Sequence, residues 1–157
     1  MLTFTSGNLL DSDAEALVNA VNTVGVARKG IALQFRQAYP ANFAAYARAC
    51  RRGEVVPGKM FVYQDEHSDR KRYIVNFPTK RHWRSRSRLA DIEAGLEDFV
   101  RVLGELEISS VAIPALGCGH GGLDWHAVLL LIEGAMTRLP EVHATVYLPK
   151  GVPTPSR

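Results

Sequence analysis

The sequence predicts an α/β protein, a three-layer α/β/α sandwich on a mixed central sheet. Three observations predict it. Short apolar or alternating runs take turns with longer segments of helical periodicity along the chain. Twice, at 16–35 and at 110–132, a run of strand character passes through a glycine-containing loop into a helix. Between these units, the strand-like runs 59–63 and 72–77 form a hairpin, so the sheet is mixed and not wholly parallel.

Each element has its own reason. Leu2, Thr3, Phe4 and Thr5 alternate and read as a strand, turned by Ser6-Gly7-Asn8. Residues 16–22 read as a buried strand, apolar except for Asn19 and Asn22. Asparagine is depleted in strands, so both either satisfy backbone at a strand end or serve a site. Residues 23–30 are a loop, and Ile31 opens a helix that Tyr39-Pro40 breaks. Residues 42–51 form the next helix, ended by Gly53 and Pro57-Gly58. The hairpin has a charged loop at 65–70, and Pro78 is expected to end its second strand. Ser87 is placed to cap a helix with Leu89, Ile92, Leu96, Phe99 and Leu103 on one face. Residues 110–113 are a short strand ending at Pro114. Asp124 caps a helix reaching residue 138 or so, and 142–148 is a last strand. Residues 1–149 read as one domain, and the proline-containing 150–157 as a tail or the start of a linker.

Composition excludes several classes. With 157 residues and 46% hydrophobic content, the chain is neither disordered nor membranous. Its longest apolar run, 127–132, is too short to span a bilayer as a helix. The first residues, MLTFTSGN, lack a basic flank and an apolar core of signal-peptide type. Cys50 and Cys118 have no metal-site spacing and fit a reducing cytoplasm. No metal, cofactor or membrane partner is expected, and the chain is expected to act as a monomer. Net charge is +3, and its distribution matters more than its total.

Two stretches carry chemistry. Gly117, Gly119, Gly121 and Gly122 follow a strand and precede a helix N-terminus. That order aims backbone N–H groups at one spot and suits a phosphate. The spacing also matches a dinucleotide fingerprint, but that belongs to the first strand–helix unit of a domain, and this one comes near the end. Together with the loop at 23–30, two such units can hold a diphosphate between them. The second stretch is 80–88, where Lys80, Arg81, Arg84, Arg86 and Arg88 surround Trp83. Basic charge around an aromatic suits single-stranded nucleic acid, although a solvated loop with paired arginines is the commoner meaning of such a run.

These segments together resemble a known family. Gly7-Asn8-Leu9-Leu10, the run 17–25 (LVNAVNTVG) and the run 114–125 (PALGCGHGGLDW) are similar to those of macrodomains. Asn76-Phe77-Pro78-Thr79-Lys80, with Trp83-Arg84 beyond, resembles the catalytic-lysine segment of the DarG-type antitoxin subgroup. The resemblance implies a macrodomain that binds ADP-ribose. It also implies that ADP-ribose is removed from thymidine in single-stranded DNA, opposing a cognate DNA ADP-ribosyltransferase toxin. By the same resemblance, Asn8 and Leu9 contact adenine. The diphosphate loops are Thr23 to Ile31, including Arg28, Lys29 and Gly30, and Leu116 to Gly122, including Cys118 and His120. Asn22 and Lys80 are catalytic, and Arg81, Trp83, Arg84 and Arg86 meet the nucleic acid.

Two positions depart from family patterns, and a third differs from sister enzymes. Asn8 replaces the aspartate common in macrodomains, as in related DarG proteins. Arg28 stands where the subgroup usually has glycine, which is costly if that position needs positive φ or close approach to the ligand. Alternatively Arg28 reaches a phosphate. Gly121 takes the place of an aspartate found in sister enzymes that free terminal ADP-ribose from acidic side chains. This argues against a lysine adduct completed by that acid.

Cleaving the ribose–thymine bond passes through an oxocarbenium-like state. The motifs show no carboxylate pair, which leaves Lys80, Asn22 and His120. A charged Lys80 protonates or stabilises the leaving thymine, whereas a neutral one attacks the anomeric carbon. Two other readings compete: a macrodomain hydrolase of protein-linked ADP-ribose, and a reader that binds ADP-ribose without cutting it.

Overall fold

The pleat of the second strand divides the molecule into layers. In this computed structural model, which describes residues 1–66 and 71–155, that strand is β2 (Ala16–Asn22), preceded by β1 (Leu2–Thr5). Ala16 and Val18 of β2 pack towards α3 (Leu89–Glu105) and α4 (Trp125–Met136), against Ile92, Phe99, Val128 and Ile132. Leu17 and Val21 point the other way. Leu17 meets Phe35 of α1 (Gly30–Ala38), and Val21 meets Tyr46 and Ala49 of α2 (Pro40–Arg51). A strand buried on both faces needs a helical layer on each side, which is the expected sandwich.

The other strands are β3 (Phe61–Asp65), β4 (Arg72–Lys80), β5 (Ser110–Ile113) and β6 (His143–Tyr147). The sheet order is β1-β6-β5-β2-β4-β3, and only the β3–β4 pair is antiparallel. The chain leaves β2 over one face through α1 and α2, and returns from β4 to β5 over the other face through α3. β2 therefore lies at a topological switch point. The C-terminal ends of β5, β2 and β4 stand side by side there, where open α/β sheets bind ligands.

A chain of buried asparagines locks this centre. Asn19 and Asn76 are partners across β2 and β4, and Asn19 Nδ2 donates to Asn76 Oδ1 at 3.1 Å. Asn76 Nδ2 donates to Asn42 Oδ1 of α2 at 2.9 Å and to the Phe61 carbonyl of β3 at 3.0 Å. This explains Asn19: its amide is structural, joining both strands to the helical layer above them.

Several expectations need correction. Pro78 does not end its strand; β4 continues to Lys80. Pairing with β3 stops at Asn76, so β4 is locally an edge and proline removes no ladder bond on that side. Ser87 does not cap α3; Arg88 holds the cap position without a side-chain bond, and Ser87 is buried elsewhere. Leu89 is exposed and does not join the apolar face. The first hairpin strand starts at Phe61, two residues late, and takes in Asp65, while 67–70 lie outside the described residues. α2 starts at Pro40 because proline suits a first helical position. No described helix is long and apolar enough to cross a membrane.

Candidate active site

Lys80 and Asn22 meet by register. Val21 pairs with Pro78, but Asn22 pairs with Lys80, so Thr79 is an extra residue in β4. Such a bulge re-aims the side chains after it. It sets the lysine at the tip of β4, directly across from the asparagine at the tip of β2.

The first glycine loop hangs on Asn22. Its Oδ1 accepts from the amides of Val24 and Gly25 at 3.1 Å and of Val26 at 3.3 Å, and its Nδ2 donates to the Val26 carbonyl at 2.8 Å. The Tyr46 hydroxyl lies 2.9 Å from Oδ1 and 2.7 Å from the Asn22 carbonyl. Burial first, and Cys50 beside it second, hold the Tyr46 phenol well above its ordinary pKa, so it stays a neutral donor. At most one Asn22 amide hydrogen is left for a ligand. The loop leads into α1, whose cap residue Lys29 makes no side-chain bond to the first turn. The first amides of α1 thus remain available to an anion.

The second loop turns from β5 into α4. Asp124 caps α4 by accepting from the Ala127 amide at 3.1 Å. Gly117 and Gly122 have φ of 72° and 76°, which other residues adopt only with strain. The turn is closed by Cys118 N to Ala115 O, Gly122 N to Gly119 O and Leu123 N to Gly117 O, at 3.1, 3.2 and 2.9 Å. Among the described residues, the amides of Gly119, His120 and Gly121 donate to no protein acceptor. These are free donors for an anion. The Cys118 thiol is pushed up to about 11, by burial first and then Asp124, so it stays protonated.

The basic segment joins the two loops. Thr23 Oγ1 donates to the Arg81 carbonyl at 2.5 Å, and Arg81 pairs with Asp91 of α3 at 3.3 Å. Arg81 is thus engaged within the fold, the commoner meaning of a basic run. Trp83 stacks on His82, with Arg84 4.4 Å and Arg28 5.7 Å from its ring centre. Arg28 does not have positive φ, so its side chain costs no backbone strain there. Arg86 and Ser87 lie against the second loop. At the far edge, Asn8 caps a turn of 3-10 helix (Leu9–Asp11) by accepting from the Leu10 amide at 3.0 Å, and Leu9 is core.

The site's charge is one-sided. Lys80 has its pKa lowered, first by partial burial and then by the Lys29 ammonium. No carboxylate pairs with Lys80 among the described residues. Asp91 and Asp124 are occupied as described. No described group of three or more His, Cys, Asp or Glu is placed to hold a metal. Free amides and cations without carboxylate partners, gathered at these strand ends, fit a small polyanion.

The macro domain family model matches residues 18–132 of the chain. The chain belongs to the macrodomain family. Within it, this macrodomain groups with those of DarG proteins. It is 55% identical to the solved macrodomain of Mycobacterium tuberculosis DarG, with a TM-score of 0.93 over 96% of this chain and 99% of that one. It is 56% identical over 151 residues to the DNA ADP-ribosyl glycohydrolase of the same organism, covering 96% of this chain. The match takes in only 43% of that relative, so the chain spans less than half the length of the curated protein it resembles. A third relative is Thermosipho africanus DarTG, solved in complex with ADP-ribose: 35% identity, TM-score 0.91, 98% of this chain and 43% of that one.

Sequence reasoning missed Tyr46, Asp91 and the loop contact of Arg86 and Ser87. Tyr46 looks like any apolar-face residue of α2, and Asp91 lies ten positions past its partner on another element. No local signal marks either.

Proposed function

We propose that this macrodomain binds ADP-ribose between its two glycine loops and removes it hydrolytically from thymidine in single-stranded DNA. What supports this reading is the placement of Lys80 opposite Asn22, between two loops with free amides, in a chain so similar to DNA ADP-ribosyl glycohydrolases.

The bond between the ribose anomeric carbon and the thymine nitrogen breaks, and its electron pair goes to the nitrogen. Lys80, as an ammonium, donates the proton that nitrogen needs. Water adds to the anomeric carbon, and its released proton restores Lys80. The diphosphate offsets the burial and the Lys29 charge that lower the Lys80 pKa, keeping the ammonium in the complex. Asn22 holds the loop and offers its remaining amide hydrogen to the ribose hydroxyls. Trp83 and Arg84 take the strand beside the modified base. The partner is a DNA ADP-ribosyltransferase toxin, and the protein works as a cytoplasmic monomer.

The decisive experiment incubates the protein with ADP-ribosylated single-stranded DNA and, separately, with ADP-ribosylated protein. Release from DNA alone is expected. Release only from protein would make it a hydrolase of protein adducts, and binding without release a reader.

A further inference from the structure

Residues 81–88 divide into two groups by what they touch. Trp83 and Arg84 stack on one another, while Arg86 and Ser87 face the second glycine loop. A Cβ added to Gly122 would lie 2.8 Å from Arg86 Nη2 and 3.2 Å from its Nε, so the guanidinium lies close against that glycine. A Cβ added to Gly121 would collide with the Ser87 hydroxyl, and one added to Gly117 would lie 3.2 Å from it. The Ser87 amide donates to the Gly121 carbonyl at 3.0 Å. A side chain at Gly121 or Gly122 would therefore meet this strap, in addition to the Gly117 backbone that crowds Gly121 and the positive φ of Gly122, whereas nothing lies within 4 Å of a Cβ added to Gly119.

Two groups of the strap are unspent. Ser87 is 7% exposed, and its buried hydroxyl has no hydrogen-bond partner among the described residues. A buried hydroxyl without a partner is a costly state, tolerated where something else completes it. The exposed Arg86 guanidinium has no carboxylate partner among the described residues, and it sits beside the free amides of the loop. A planar fork next to free amides is suited to phosphate oxygens.

We propose that Arg86 and Ser87 form part of the diphosphate wall, with Arg86 reading the anion and Ser87 completing the second loop when the anion is bound. The basic segment then has two tasks: Trp83 and Arg84 serve the strand, and Arg86 and Ser87 serve the ligand. This rests on the ADP-ribose reading above.

The test is a crossed titration of the purified chain with free ADP-ribose and with an unmodified single-stranded oligonucleotide. Arg86→Ala should weaken ADP-ribose by about tenfold and leave the oligonucleotide nearly unchanged, since the lost charge faces the ligand. Arg86→Lys, which keeps charge but loses the fork, should also weaken ADP-ribose. Arg84→Ala should do the reverse of Arg86→Ala. Ser87→Ala should weaken ADP-ribose while the melting temperature of the empty protein holds or rises. Arg86→Ala that weakens only the oligonucleotide, or neither ligand, overturns the proposal for Arg86. Ser87→Ala that lowers the melting temperature with affinity unchanged makes that hydroxyl structural. If the unaltered chain fails to bind ADP-ribose, the proposed function falls and takes this inference with it.

Discussion

Lys80 and Asn22 stand opposite each other but depend on the fold differently. Lys80 has no ion-pair partner among the described residues, so Lys80→Ala should shift the stability of the empty protein by no more than about 0.5 kcal/mol. Release of ADP-ribose from DNA should slow by roughly a hundredfold or more. Lys80→Arg should not restore it, because guanidinium does not give up a proton at working pH. A Lys80→Ala protein that clears DNA at the unaltered rate would move the chemistry elsewhere. Asn22→Ala should behave otherwise. It strands the amides of Val24, Gly25 and Val26, so it should cost about 1–3 kcal/mol in denaturant unfolding as well as activity. Both residues were legible as candidates from their segments. The division of labour was not, because a sequence does not say which amides an asparagine faces.

At the scale of elements, the packing between α3 and β4 is tight enough to test. A Cβ on Gly95 would collide with the Phe77 ring. Gly95→Ala should therefore destabilise by about 1–3 kcal/mol in spite of alanine's better helix propensity, read from the denaturation midpoint at unchanged slope. The second glycine loop offers the contrast. Gly119 has open space and no positive φ, so Gly119→Glu should fold normally. It should bind free ADP-ribose at least tenfold more weakly by calorimetry, about 1.4 kcal/mol, because a carboxylate then faces the diphosphate. Unchanged affinity with the fold intact would remove this loop from the binding site. Strands and helices were readable here because periodicity is local. The continuation of β4 through Pro78 was not, because what permits it is where β3 stops.

For the whole molecule, charge is spread unevenly about a modest total of +3. Lys29, Lys80, Arg28, Arg84 and Arg86 gather at one edge of the sheet, and of the segment's arginines Arg81 has its own acid. Arg84→Ala should weaken single-stranded oligonucleotide binding and lower its salt-dependence slope by about 0.7 if it meets one phosphate. An unchanged slope would mean that Arg84 only shelters Trp83. The sandwich itself was predictable because both faces of β2 are apolar. The pairing of Arg81 with Asp91, and of Arg28 with Trp83, arises only when the chain closes, so no spacing rule anticipates it.

Thr79 adds no chemistry of its own, yet it sets the phase of everything after it. Side chains along a strand alternate, so removing one residue before Lys80 would turn that lysine towards the opposite side. Asparagine, proline and lysine would all remain, and a comparison of letters would still find the segment. A homologue with one residue fewer between its proline and lysine can thus keep the vocabulary of the site and lose its grammar.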